Sequence, residues 1–261
     1  MTRYPIIYSA VLLASASPCW RISSVRADQG WGTIKGRVVY SGNQVPAVQI
    51  VNVNKDQADC LEKGAIPSEE LVVNKQNKGV QWVFVWLAPE QAGQRLPVHP
   101  ALAAIKQKTL SIDQPCCRFE PHALGLREGQ DLDAKNSGKV AHNVHWLGHP
   151  LKNPGGNVIV PAGKSYLIAG LKADDKFPVK ISCDIHGWMS AWVRVFDHPY
   201  FAMTDADGKF ELRNAPVGTY RLKTWSDSGW GPGLRNGIPV TIKPDQVNDV
   251  GSIEYPPTQL K

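Results

Sequence analysis

Apolar residues in this chain gather in short stretches of strand length, some alternating with polar residues in the two-residue period of half-buried strands and some continuous. Such stretches occupy 33–40, 80–87, 110–112, 143–147, 166–169, 179–183 and 191–196. They are rich in Val, Ile and aromatic residues, and Gly, Pro, Asn or Asp stand between them. The run Tyr220-Arg221-Leu222-Lys223-Thr224-Trp225 keeps the same alternation. Helix-like periodicity is confined to 57–63 and 101–107. Many short strands closely spaced imply sandwiches or barrels, so the expected class is all-β.

Two breaks in the pattern divide the chain. Residues 65–70 separate the first strand from Trp82-Val83-Phe84-Val85-Trp86, and Asp197-His198-Pro199 ends a strong strand. Beyond it, residues 204–212 place Asp207-Gly208 before alternating apolar positions, which reads as a hairpin turn. The spaced acids and terminal Glu of an EF-hand loop are missing, so the turn is preferred to a calcium site.

Composition narrows the class further. The 261 residues include 23 Gly and 20 Pro, punctuation that long helices do not tolerate. No apolar run reaches the ~18 residues of a spanning helix. Arg3, a mostly apolar stretch over 6–16 and the small residues of Val25-Arg26-Ala27 read as a signal peptide cut after Ala27. The expected location is therefore secreted or periplasmic. Cys19 follows Ala16-Ser17-Pro18, a poor lipobox, and lipidation is rejected.

Removing 1–27 takes away three Arg and no acid, so the formal charge falls from +6 to +3. No basic run interleaved with aromatics occurs, which sets nucleic acid aside as a partner.

Four cysteines follow the leader: Cys60, Cys116, Cys117 and Cys183. An exported chain permits a disulfide between distant cysteines. Cys60 with one of the adjacent pair is the natural choice, Cys117 being preferred to Cys116. Cys183 is then left without a partner and needs another explanation.

The explanation is chemical. In a chain with only Met189 and Met203 beyond Met1, the run Cys183-Asp184-Ile185-His186-Gly187-Trp188-Met189 puts a thiol, an imidazole and a thioether on one short loop. His142 offers a second imidazole at a strand edge. A copper ion that shuttles one electron must suit soft-sulfur Cu(I) and imidazole-preferring Cu(II). Two His and one Cys in a near-trigonal plane with a weak axial Met suit both.

His142-Asn143 followed downstream by Cys-x2-His-x2-Met resembles the ligand pattern of the cupredoxins, the blue copper proteins, with amicyanin-like loop spacing. The resemblance extends over about 70–197, including 124–136, where Gly129 precedes a strand ending in Asn136. It implies a Greek-key sandwich with one mononuclear type 1 copper held by His142, Cys183, His186 and Met189. It also implies that Asn143 ties the ligand loops together and that His186 is the electron port.

A second resemblance flanks the first. Gly32–Val38 as a strand, the run 204–212 and Pro216-Val217-Gly218-Thr219-Tyr220-Arg221-Leu222 are similar to a carboxypeptidase-regulatory-like, transthyretin-like β-sandwich. The combination looks like methylamine-utilisation-type proteins. The expected division is 1–27 leader, 28–69 first sandwich part and linker, 70–197 cupredoxin domain, and 198–261 second sandwich part.

Competing readings are weaker. Zinc could use Cys183, His186 and two further His but would leave the Met idle. A nucleophilic Cys183 has no evident orienter or substrate pocket, and His-x-His or His-Cys-His clusters of multicopper oxidases are missing from the sequence. The chain is accordingly not read as an enzyme. His145 is the alternative first ligand, and His122 is read as a packing or surface residue. His99, His149 and His198 are read as solvated. Trp146, Trp188 and Trp192 suit packing or a docking face, and 225–230 suits core packing or a glycan contact. The expected partner is a redox protein such as a c-type cytochrome or dehydrogenase. The alternative function is a carbohydrate- or protein-binding sandwich with a structural or sensing metal site.

Overall fold

The computed structural model describes residues 30–256, and the expected leader lies outside the described residues. Strands dominate these residues, and the helical segments are short: Gln57–Cys60, Pro100–Ala103 and the 3-10 turn Leu234–Asn236. Among the described residues no helix is long and apolar enough to cross a membrane.

One sandwich is built from both ends of the chain. Trp31–Tyr40 buries its even-numbered positions, Ile34, Val38 and Tyr40 among them. It pairs antiparallel with Lys209–Pro216 and parallel with Val247–Tyr255. The facing sheet runs Phe201–Met203, Phe84–Ala88, Gly218–Ser226, Gly229–Trp230, with Ile238–Ile242 also on Gly218–Ser226. Val85, Leu87 and Leu222 meet Ile34, Val38, Phe210 and Leu212 between the sheets.

The second sandwich lies between these pieces in sequence. Its larger sheet has the order Ala123–Arg127, Ser190–Phe196, Val179–Ser182, His142–Leu147, Gly156–Val160. The opposing sheet joins Thr109–Ile112, Asp131–Asn136 and Lys164–Ile168. Ile112, Leu132, Ala134, Val144, Ile181, Ala191 and Val193 fill the space between.

Sheet membership crosses the boundary expected at residue 70. Phe84–Ala88 lies inside the range assigned to the middle domain, yet it pairs with Phe201–Met203 and Gly218–Ser226. Val53, Cys60 and Ile66, placed by sequence with the first sandwich part, pack into the middle core. The physical reason is that Phe84–Ala88 is buried along its whole length, which an alternating pattern does not assign to either sandwich. A third cluster of Phe84, Trp86, Ala123, Phe196 and Trp225 joins the two bodies.

The Asp207-Gly208 turn is present, but it is no hairpin. Its flanking strands, Phe201–Met203 and Lys209–Pro216, belong to different sheets, so the chain turns a sandwich corner there. Asp205 Oδ1 accepts the N–H groups of Asp207 and Lys209. Gly208 has φ 75°, and a Cβ there would lie 2.2 Å from the Val38 carbonyl oxygen. Only glycine fits that approach.

Candidate metal centre

His142 opens the strand His142–Leu147, whose Val144 is anchored in the core. Asn136 shapes the turn into it: its Nδ2 donates to the carbonyls of Val140 and Val160 at 2.9 and 2.8 Å, and its Oδ1 accepts from Gly138 N. Cys183 follows the neighbouring strand Val179–Ser182. Ser182 and Ser190 are cross-strand partners, so residues 183–189 form the connection between two antiparallel strands. Met189 N donates to His186 O at 2.9 Å, and Cys183 N to Met189 O at 3.3 Å. The loop therefore closes on itself, and short connections of this kind have few alternative conformations.

Folding brings three of the four predicted side chains to one point. His142 Nδ1 and His186 Nδ1 are 2.9 Å apart, and Cys183 Sγ lies 3.9 and 3.8 Å from them. Both imidazoles are fully buried and the thiol nearly so. Burial, and then the neighbouring His186, push the pKa of His142 down to about 4, so its imidazole is neutral and able to ligate. The circle through the three atoms has a radius of about 2 Å. Ordinary metal–nitrogen and metal–sulfur bonds are about 2.0–2.3 Å, so one ion reaches all three donors. The donor set fits a soft or borderline metal. Met189 is buried on the same loop and packs in the same core.

Asn143 locks the two ligand-bearing segments together, as expected. Its Oδ1 accepts from Asp184 N at 2.7 Å and Ile185 N at 3.1 Å, and stands 3.2 Å from Cys183 Sγ. Its Nδ2 donates to Asn157 Oδ1, and Asn157 Nδ2 donates to Asp184 Oδ2. Asp184 Oδ1 meets His145 Nδ1 at 3.0 Å. The hydrogen bonds from His145 and Asn157 hold the Asp184 carboxyl below its usual range. His145 thus faces outward, away from the cluster, while His142 faces in.

His186 departs from its expected role as an exposed port. It has no exposed surface, and its Nε2 meets Asp56 Oδ2 at 2.8 Å. Its ring also contacts Trp188 edge-on, with centroids 5.1 Å apart, and Trp188 Nε1 donates to Cys117 O. Cys117 is disulfide-bonded to Cys60, and Cys116 is free. The two disulfide sulfurs and a His186 nitrogen lie within 4.8 Å of one another, but the S–S bond consumes those sulfurs as ligands. Asp56 was missed in the sequence. An acid just before a helix-like stretch signals a cap, not a histidine partner.

The remaining predicted residues pack elsewhere. His122 is buried, its Nδ1 on Ser190 O and its Nε2 3.5 Å from Asp227. It lines, with Trp188 and Met189, a cavity of about 150 Å³. His99 is partly buried, and its Nδ1 accepts from Ala101 N to cap Pro100–Ala103. His149 is likewise partly buried, with its ring against Phe177. His198, expected in solvent, is buried between Phe196 and Tyr200. Trp225 and Trp230 turn inward around the buried guanidinium of Arg194, not outward to a glycan.

No protein-family model matches the chain, and no curated protein matches it. Among solved structures it is similar to a reduced amicyanin mutant at 18% identity and TM-score 0.31, over 43% of this chain and 98% of that one. An oxidised amicyanin mutant matches at 17% identity and TM-score 0.31 over the same shares. A purple cupredoxin from Nitrosopumilus maritimus matches at 17% identity and TM-score 0.27, over 33% of this chain and 98% of that one. At TM-scores this low the likeness carries no weight, and the reading of the site rests on its own atoms.

Proposed function

We propose that the chain is an exported carrier of single electrons, with one mononuclear type 1 copper held by His142, Cys183, His186 and Met189. The observation behind this reading is the buried triangle of two imidazole nitrogens and one thiol sulfur, with sides of 2.9, 3.8 and 3.9 Å. Bound there, copper would supply a one-electron couple that sulfur and imidazole donors suit in both oxidation states.

The protein's own part is to hold the donors still and dry. Asn143 fixes the Cys183 loop against the His142 strand, and burial excludes water from both imidazoles. A donor set that does not rearrange between oxidation states keeps electron exchange fast. Met189 is the proposed fourth, weak contact. Zinc would leave that thioether unused.

In this reading the middle sandwich is a cupredoxin module, and the sandwich from the chain ends is a regulatory-like scaffold. A c-type cytochrome or dehydrogenase is the proposed partner. The Cys60–Cys117 disulfide agrees with export to an oxidising compartment. The site passes electrons and transforms no substrate.

Visible absorption and electron paramagnetic resonance after adding Cu(II) test this. An intense thiolate-to-copper band that disappears on reduction, and in Cys183→Ser, is expected. A colourless protein that retains zinc would overturn electron transfer and favour a binding sandwich with a structural metal.

A further inference from the structure

Asp56 precedes the helical turn Gln57–Cys60, where an aspartate ordinarily caps the helix through its carboxylate. Here it makes no side-chain cap, and its backbone stands in the left-handed region at φ 47°. Its carboxylate is directed instead to His186 Nε2, at 2.8 Å. The 2.8 Å geometry suits Nε2–H donating to the carboxylate, the tautomer that leaves the other ring nitrogen free to ligate. The lone pair of His186 therefore sits on Nδ1, the atom that faces His142 and Cys183.

The segment bearing Asp56 is held in place from its other end. Cys60 closes the turn and is bonded to Cys117, whose carbonyl also receives the Trp188 indole N–H. The same disulfide thus fixes two of the groups that cover His186.

We infer that Asp56, held over the site by the Cys60–Cys117 disulfide, is a positioning residue for His186 that lowers the reduction potential of copper bound there. The inference rests on the copper reading above. A carboxylate on the distal nitrogen fixes the ring and makes the ligating nitrogen more basic. Its negative charge favours the more positive metal state, so Cu(II) gains relative to Cu(I).

The test compares wild type with Asp56→Asn and Asp56→Gly, both of which tolerate the left-handed backbone that alanine would strain. Loss of such a partner typically costs 10–100-fold in metal affinity. A tenfold loss of Cu(II) affinity alone is about 59 mV for a one-electron couple. The potential is expected to rise by about that much or more in Asp56→Gly, and by less in Asp56→Asn, which keeps an acceptor. In the metal-free protein, the His186 Nε2–H is expected as a slowly exchanging NMR signal that Asp56→Gly abolishes.

An unchanged potential in Asp56→Gly, or persistence of that signal, would overturn the inference. A wild type without the thiolate–copper band would overturn the copper reading instead, and the metal-free NMR comparison would still decide whether Asp56 positions His186. The Cys60→Ser/Cys117→Ser double variant is expected to shift the potential in the same direction. Absence of that shift overturns the role of the disulfide.

Discussion

Asn143 Oδ1 stands 3.2 Å from Cys183 Sγ while accepting the backbone N–H groups of both Asp184 and Ile185. One amide oxygen thus restrains the thiol and the start of the loop that carries His186. Asn143→Ala takes the acceptor from the N–H groups of half-buried Ile185 and exposed Asp184, and a buried N–H left unsatisfied costs about 1–3 kcal/mol. We expect a stability loss in that range for the metal-free protein, measured by urea unfolding, and faster removal of bound copper by a chelator. Unchanged unfolding and chelation rates would show that the loop holds its shape without the amide.

The Cys60–Cys117 disulfide closes a loop with a sequence separation of 57. Chain-entropy reasoning assigns a loop of that length about 4 kcal/mol of stabilisation at 25 °C. The Cys60→Ser/Cys117→Ser variant should lose stability of that order in urea, and dithiol reductants should destabilise the wild type but not the variant. Both cysteines lie in the middle core with Val53 and Ile66, so the loss should fall on that sandwich first. Hydrogen exchange over 142–147 and 179–196 would report it.

The strands with branched and aromatic alternation were legible in the sequence, and so was the ligand loop. Cys183, His186 and Met189 share a local spacing, and His142 stands at a strand edge whose neighbour Asn143 gives the motif away. Asp131–Asn136 and Val247–Tyr255 were harder to read, because polar and charged residues occupy much of each. Val247–Tyr255 is a strand because it pairs along Trp31–Tyr40, a partner more than 200 residues away that no local pattern announces. The same limit hid Asp56. Its contact with His186 depends on a disulfide that folds a polar segment over the site, and the interaction spans 130 positions. Burial of His198 was invisible for a related reason: it lies between two aromatic rings, which the Pro beside it does not reveal.

Arg194 is fully buried, its guanidinium 4.3 Å from the Trp86 ring centroid and 5.4 and 5.9 Å from those of Trp230 and Trp225. It donates to the Asp175 carbonyl, and burial lowers its pKa only to about 10, so it remains charged at neutral pH. Arg194→Ala opens a cavity where the two sandwiches meet and should cost about 3 kcal/mol. Arg194→Met keeps most of the volume and removes the desolvated charge, so it should fall within about 1 kcal/mol of wild type. Urea midpoints of the pair separate packing from cation–π attraction. Equal losses in both variants would assign the stabilisation to the charge.

His198 gives the fold an acid-side sensitivity. It is 7% exposed, with Nδ1 accepting from Tyr200 N. Burial pushes its pKa from 6.5 to about 4, against the attraction of Asp197 and Asp175 and with a smaller contribution from Arg127. The unfolded chain therefore binds a proton between about pH 6.5 and pH 4 that the folded chain does not. Unfolding takes up that proton, so stability falls as pH falls through this window. The full span is worth on the order of 3 kcal/mol. His198→Asn keeps an acceptor for Tyr200 N and does not titrate. Its stability, measured by urea unfolding of the metal-free protein, should change less between pH 7 and pH 4.5 than that of wild type. Parallel profiles for the two proteins would mean that His198 binds its proton equally well folded and unfolded, and that burial does not depress it.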